Sequence, residues 1–108
     1  PNERFFRLIS TVLADLRAAP PDQLPAAVWR AVTYFTFWAV RLSGILPDLR
    51  VSAVAQELAA EMAVRPIHHF SNLPWSSETA RDLRCFLYRA IELHIERKLI
   101  TVPLMEAL

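Results

Sequence analysis

The sequence predicts an all-α fold: a compact bundle of about four helices plus a short C-terminal turn, with no sheet. Three observations lead there. The 108 residues contain a single glycine, too few for the tight turns of a sandwich or barrel. Apolar residues make up 54% of the chain, which excludes a disordered segment. Those apolar residues recur at three- and four-residue spacing, and no stretch alternates as a strand would.

The first helix is expected over Asn2–Ala18. Asn2 suits an N-cap and Glu3 the first turn. Phe5, Phe6, Leu8, Ile9, Val12, Leu13 and Leu16 form its apolar face, and Asp15 and Arg17 end it on the wet side. The stretch AAPPDQLP breaks it, because prolines lack the donor and force extended backbone before them.

A second helix is expected over Pro25–Ser43, with Pro25 in its first turn. It carries Val28, Trp29, Val32, Phe35, Trp38, Ala39 and Leu42 on one stripe, with Tyr34, Phe37 and Val40 beside it. A helix apolar nearly all round belongs in the middle of a bundle. Gly44 fits a left-handed C-cap with Pro47 following.

The third helix is expected over Val51–Val64, short and alanine-rich. In the connection VRPIHHFSNLPW, the residues Ile67, Phe70, Leu73 and Trp75 are expected to pin the chain to the core. A fourth helix is expected from Ser76, with Glu78 in its first turn, to Leu99. Leu83, Phe86, Leu87, Ala90, Ile91, His94 and Ile95 give the cleanest helical period in the chain, and Pro103 opens the last short turn. The core is expected to hold Phe6, Ile9, Val32, Phe35, Trp38, Leu42, Leu83, Leu87 and Ile91.

Composition argues against several functions. The formal net charge is +1, so no broad basic stripe announces nucleic acid, and the arginines are scattered from Arg4 to Arg97. Cys85 is the only cysteine, which rules out an internal disulfide; it reads as a small buried apolar residue. No apolar run approaches the roughly 18 residues that span a membrane, so a cytoplasmic protein without a membrane partner is expected. His68 and His69 are adjacent in a loop without companions for a metal site, and His94 reads as a core or boundary residue. Glu92 and Glu96, flanked by Arg89 and Arg97, make a solvated helix face rather than a catalytic pair. The serines lack a nucleophile elbow, and the glycines of a phosphate loop are absent. Neither an enzyme nor a bound cofactor or metal is expected.

The tryptophans Trp29, Trp38 and Trp75 are many for so small a helical chain. Core filling accounts for most of them. The other reading is a groove for a partner peptide, lined by Trp29 and Trp38, with Arg7, Arg30, Arg41 and Arg89 as candidates to catch a carboxylate.

Three stretches carry a family likeness. PNERFFRLISTVLADL presents Asn2, Glu3, Phe6 and Leu8 in an N-E-x-x-F-x-L pattern. VTYFTFWAVRLSGILPDL opens its apolar run at Phe35 and closes with Leu42, Gly44, Pro47 and Leu49 in a G-x-x-P-x-L pattern. The final stretch places Ser76, Glu78, His94, Leu99 and Thr101 in order, with Trp75 and Met105 where leucines are usual. Together these resemble the helical C-terminal domain of the bacterial recombination mediator RecO. The resemblance implies a non-enzymatic role in recombinational repair. It also implies RecR and the acidic C-terminal tail of single-stranded DNA-binding protein as partners, with DNA held mainly by an N-terminal OB-fold. Residues 1–108 would then be a single helical domain from a longer protein, without that OB-fold. Many such relatives carry two C-x-x-C pairs for a structural zinc, the first just after the PDL motif. Here Ser52 and Ala55 stand at that first pair, the second pair is absent, and no zinc is expected. The competing expectation is a helical dimerisation or ligand-binding domain of a transcription regulator, since the second helix could line a pocket or a dimer interface.

Overall fold

The apolar spacing of the first segment does build one helix, α1 (Asn2–Ala18), in the computed structural model, which describes the backbone of residues 2–44 and 49–107 and the side chains of 3–44 and 49–99. Its apolar residues cover more than one side, and the fold buries only one of them. Leu8 and Val12 are buried, with Leu16 packed beside them. Phe6 is 71% exposed, and Ile9 and Leu13 also face outward, so the expected core positions Phe6 and Ile9 are surface. Asp15 departs the other way: it turns inward from the end of α1 and pairs with an arginine of the next helix. The side chain of Asn2 lies outside the described residues.

The prolines break α1 as expected. Pro20 is extended, and Pro21–Gln23 form a single 3₁₀ turn. The next helix, α2 (Leu24–Leu42), has Pro25 in its first turn and touches every other helix of the fold. It ends on Gly44, whose φ of 70° is the left-handed geometry a C-cap glycine supplies. The amide N–H groups of Ser43 and Gly44 donate to the carbonyls of Ala39 and Arg41, each at 3.1 Å. Pro47 lies outside the described residues.

The face of α2 that is most deeply buried is not the stripe of large residues. It runs through Ala27, Ala31, Thr33, Tyr34, Phe37 and Val40, while Val32, Phe35, Trp38 and Leu42 are only half-buried. Ala27 and Ala31 let neighbouring backbones approach, and the Tyr34 and Phe37 rings fill the core on the same buried side. Thr33 is fully buried because its hydroxyl donates to the Trp29 carbonyl at 2.8 Å.

The third helix, α3 (Ala53–Val64), begins two residues later than its apolar pattern suggests. Ser52 sets the start: its Oγ accepts the amide of Ala55 at 3.2 Å, a cap that contributes about 1 kcal/mol. The Ser52 amide in turn donates to the Asp82 carboxylate at 3.0 Å, tying the head of α3 to the last helix. Hydrogen bonding to Ser52, above all, holds the Asp82 carboxyl below its ordinary value of 3.8. A carboxyl lowered by folding contributes its stability fully above its unfolded value and loses it as pH falls through the folded one. Asp82→Asn is therefore expected to be less stable than the native chain near neutrality. The difference should close below about pH 4; urea midpoints followed from neutral pH downward measure it.

The connection from α3 folds back over the core through a 3₁₀ turn, Ile67–Phe70. Ile67, Phe70 and Trp75 are buried, and the Trp75 indole donates to the Phe70 carbonyl at 2.8 Å. Leu73, expected to join them, is exposed.

The last helix, α4 (Arg81–Ala107), departs most from expectation. Ser76 does not start it. The Ser76 and Thr79 hydroxyls build a turn instead: the Ser76 amide donates to Thr79 Oγ1 at 3.1 Å, and that hydroxyl donates to the Pro74 carbonyl at 2.6 Å. Ala80 then takes a φ of 56°, which no helix can continue through, and the helical ladder opens with the Arg84 amide on the Ala80 carbonyl. At the other end α4 runs through Pro103 to Ala107, so the expected separate C-terminal turn is part of the helix. The proline removes one hydrogen bond of the ladder without ending it.

Among the described side chains of α4, those covered lie in its first half. Leu83 and Leu87 are fully buried and Ile91 packs against them, while Leu93, Ile95 and Leu99 are exposed. The clean period beyond Ile91 therefore does not mark core. Twenty-seven residues make a rod of about 40 Å, long against a molecule measuring 55 × 30 × 23 Å. Cys85, expected to be buried, is exposed on this helix. No strand occurs among the described residues, and none of their helices is long and apolar enough to cross a membrane.

Candidate functional site

Helices α1 and α2 pack as an antiparallel hairpin, with Asp15 opposite Arg30 near the connection and Leu8 opposite Tyr34 further along. At the open end of this hairpin their side chains leave a groove of about 330 Å³, lined by Arg4, Arg7, Leu8, Thr11, Tyr34, Trp38 and Leu42. Its floor is aromatic. Tyr34 and Trp38 sit 6.5 Å apart between ring centroids, tilted, and Phe37 meets Trp38 edge-on at 5.9 Å. The indole N–H of Trp38 donates to the Met62 carbonyl at 3.1 Å, which locks the ring against the end of α3. Burial pushes the Tyr34 phenol above its ordinary value, so it stays neutral.

The rim is basic. Arg41 lies over the Trp38 ring, its guanidinium carbon 5.3 Å from the centroid. Arg7 reaches Glu3 at 3.2 Å in an exposed pair that holds it only weakly. Arg4 makes no ion pair among the described residues. An apolar floor under exposed guanidinium groups suits a chain segment that ends in an apolar residue and a carboxylate.

Of the six residues singled out from sequence, Arg7 and Trp38 line the groove, and Arg41 touches it only by stacking on the Trp38 ring. The other three are placed elsewhere. Arg30 is 6% exposed, and its Nε donates to Asp15 at 2.8 Å, so it braces the hairpin from inside. Trp29 lies under the guanidinium of Arg84 at 4.8 Å, on the side of α2 that faces α4. Arg89 is exposed on α4 and paired with Glu92 at 3.2 Å. Sequence reasoning missed Arg4, Thr11 and Tyr34. Arg4, Arg7, Leu8 and Thr11 repeat at helical spacing on one side of α1, and that signal was available.

The zinc position is also resolved in chemical terms. The Ser52 hydroxyl is engaged as a helix cap, and Ala55 offers only a methyl group and its amide. These residues do not fit a zinc ion, which needs thiolate, imidazole or carboxylate donors. His68 and His69 sit exposed in the 3₁₀ turn, His69 stacked edge-on against Phe70 at 5.3 Å. Among the described residues, no three His, Cys, Asp or Glu side chains are grouped to hold a metal ion.

The fold and this groove define an all-α domain with a basic-rimmed aromatic cleft. In sequence, the chain is related along its whole length to RecO: it is 32% identical to the DNA repair protein RecO of Koribacter versatilis (strain Ellin345). That alignment covers all of this chain and 55% of the relative, so the chain spans about half the relative's length. The alignment extends over 142 positions against a chain of 108 residues, so the relative carries residues that have no counterpart here. No family model matches the chain, and no solved structure matches it.

Proposed function

We propose that this chain is a non-enzymatic helical binding domain of a RecO-like recombination mediator in DNA repair, acting in the cytoplasm. Its task is to hold partner proteins. The groove between α1 and α2 takes the acidic tail of single-stranded DNA-binding protein, RecR binds elsewhere on the assembled protein, and DNA is met mainly by an N-terminal OB-fold. The observation that carries this reading is the pairing of Arg4 and Arg7 with Tyr34, Trp38 and Leu42 in one groove, with Arg41 stacked on the Trp38 ring, on a chain related to a DNA repair protein. The cations are concentrated locally, since the whole chain is close to neutral. An acidic tail would be steered to the rim, and its terminal apolar side chain would be seated on the rings.

The test is a fluorescence titration with a labelled acidic peptide ending in phenylalanine. Saturable binding is expected, weakened at least roughly tenfold when Arg4 and Arg7 are both changed to glutamate. Both side chains are exposed, so the fold should survive the change. Amidation of the peptide's terminal carboxyl should weaken it as well. A folded protein that shows no saturable binding, or binding indifferent to both changes, would remove the groove from this role.

A further inference from the structure

A second cleft has the opposite polarity. It is a cavity of about 450 Å³ between the outer face of α3, the 3₁₀ turn Ile67–Phe70 and the first turn of α4. We propose that it docks a basic peptide segment that presents one apolar side chain between arginines or lysines.

The apolar part of the argument begins with α3, which is apolar on two faces. Ala55, Ala59 and Met62 point into the core. Val54 and Leu58, with Phe70 and Leu73 opposite, line the cleft, and Val54 is 77% exposed. α3 packs against α2 and, at its head, against α4, and its second apolar face is left without cover among the described residues.

The charged part fixes the partner's chemistry. Glu57, Glu61 and Asp82 line the cleft, and no arginine or lysine does; the imidazole of His69 is the one basic group in the wall. This imbalance is local, because the chain as a whole carries 12 basic against 11 acidic residues. Asp82 stays ionised, its pKa lowered first by its hydrogen bond with Ser52. Glu57 has no ion pair among the described residues, and Glu61 meets Arg65 only in an exposed contact of 3.3 Å. An apolar pocket with an unneutralised acidic rim repels the tail that suits the α1/α2 groove and attracts a cationic segment. The two clefts are backed by one run of rings, since Phe70 stands 6.4 Å from Tyr34 and Tyr34 stands 6.5 Å from Trp38. The domain can therefore hold an acidic and a basic segment at the same time on two sides of one aromatic wall.

The experiment uses the chain as it stands and a short labelled peptide with a leucine flanked by arginines. Saturable binding that weakens with added salt is expected. Glu57→Lys and Val54→Asn, both at exposed positions, should each weaken it by roughly fivefold to tenfold while circular dichroism stays unchanged. The same variants should leave binding of the acidic peptide at the other groove unaltered, which separates the two proposals. A peptide with glutamates in place of arginines should not compete. Equal binding by both variants, equal binding of the charge-inverted peptide, or no saturable binding at all would overturn the proposal. So would sedimentation showing a dimer that Glu57→Lys dissociates, which would assign the cleft to a second copy of the chain.

Discussion

Asp15→Ala is expected to lower the unfolding free energy by about 3–5 kcal/mol. Asp15 Oδ2 lies 2.8 Å from Arg30 Nε, and both side chains are only 8% exposed. Each charge has left water, and each is tolerated because the other is there. Removing the carboxylate leaves a guanidinium inside the α1/α2 hairpin with no anion beside it, and that residual cost exceeds what the pair itself contributes. A small domain is stable by about 5–15 kcal/mol, so the loss would be a large part of the whole. Urea unfolding with an unchanged slope would measure it. Removing both charges together separates the causes: Asp15→Leu with Arg30→Met should recover most of the stability, because no lone charge remains. A double variant as unstable as Asp15→Ala would show that the pair's attraction, and not the stranded charge, dominates.

Arg84→Met is expected to cost about 3 kcal/mol. Arg84 is 3% exposed, yet no carboxylate pairs with it among the described residues. Its guanidinium is held by oxygen dipoles and a ring. It donates to the Ser77 and Thr79 carbonyls and, at 3.2 Å, to the Thr33 hydroxyl, and it lies 4.8 Å from the centroid of Trp29. These contacts close the turn before α4 and fix it to α2. Methionine fills comparable volume but leaves the two carbonyls and the hydroxyl without their donor. Arg84→Lys should recover only part of the loss, since an ammonium cannot present donors in a planar fork or stack on the indole as a guanidinium does. Amide exchange in the Ser76–Ala80 turn should accelerate more than elsewhere in the methionine variant. Uniform acceleration would show that the turn does not depend on Arg84 specifically.

These two residues also mark where reading the sequence stops. Arg30 was legible only as a candidate for a partner's carboxylate, because nothing local says that Asp15, fifteen positions earlier, faces it across a hairpin. Arg84 was not legible at all. An arginine near the start of a helix ordinarily lies in solvent, and its burial depends on a turn made by Ser76, Thr79 and Ala80. The same turn explains the late start of α4: hydroxyls spaced like a helix cap bonded to each other and to a carbonyl instead. Phe6 and Ile9 show the complementary limit. Periodicity finds the helix, but with apolar residues on two sides it cannot say which side a neighbour will cover. Part of the candidate groove was read, through Arg7 and Trp38. Arg4 could have been read from its helical spacing with Arg7, Leu8 and Thr11, but its meeting with Tyr34 could not, because the two come together only when two helices align antiparallel.

What the sequence determined by itself is whatever depends on nearest neighbours along the chain. Four helices, the break at Pro20 and Pro21, the stop at Gly44 and the central place of α2 follow from spacing and backbone chemistry, which act over one or two turns. The likeness to RecO was likewise written in ordered local motifs. Tertiary structure alone decided which apolar face is core, which arginines are buried and where the two clefts of opposite charge open. Those outcomes depend on which side of each helix loses water, and that is set by elements far apart in sequence packing against one another.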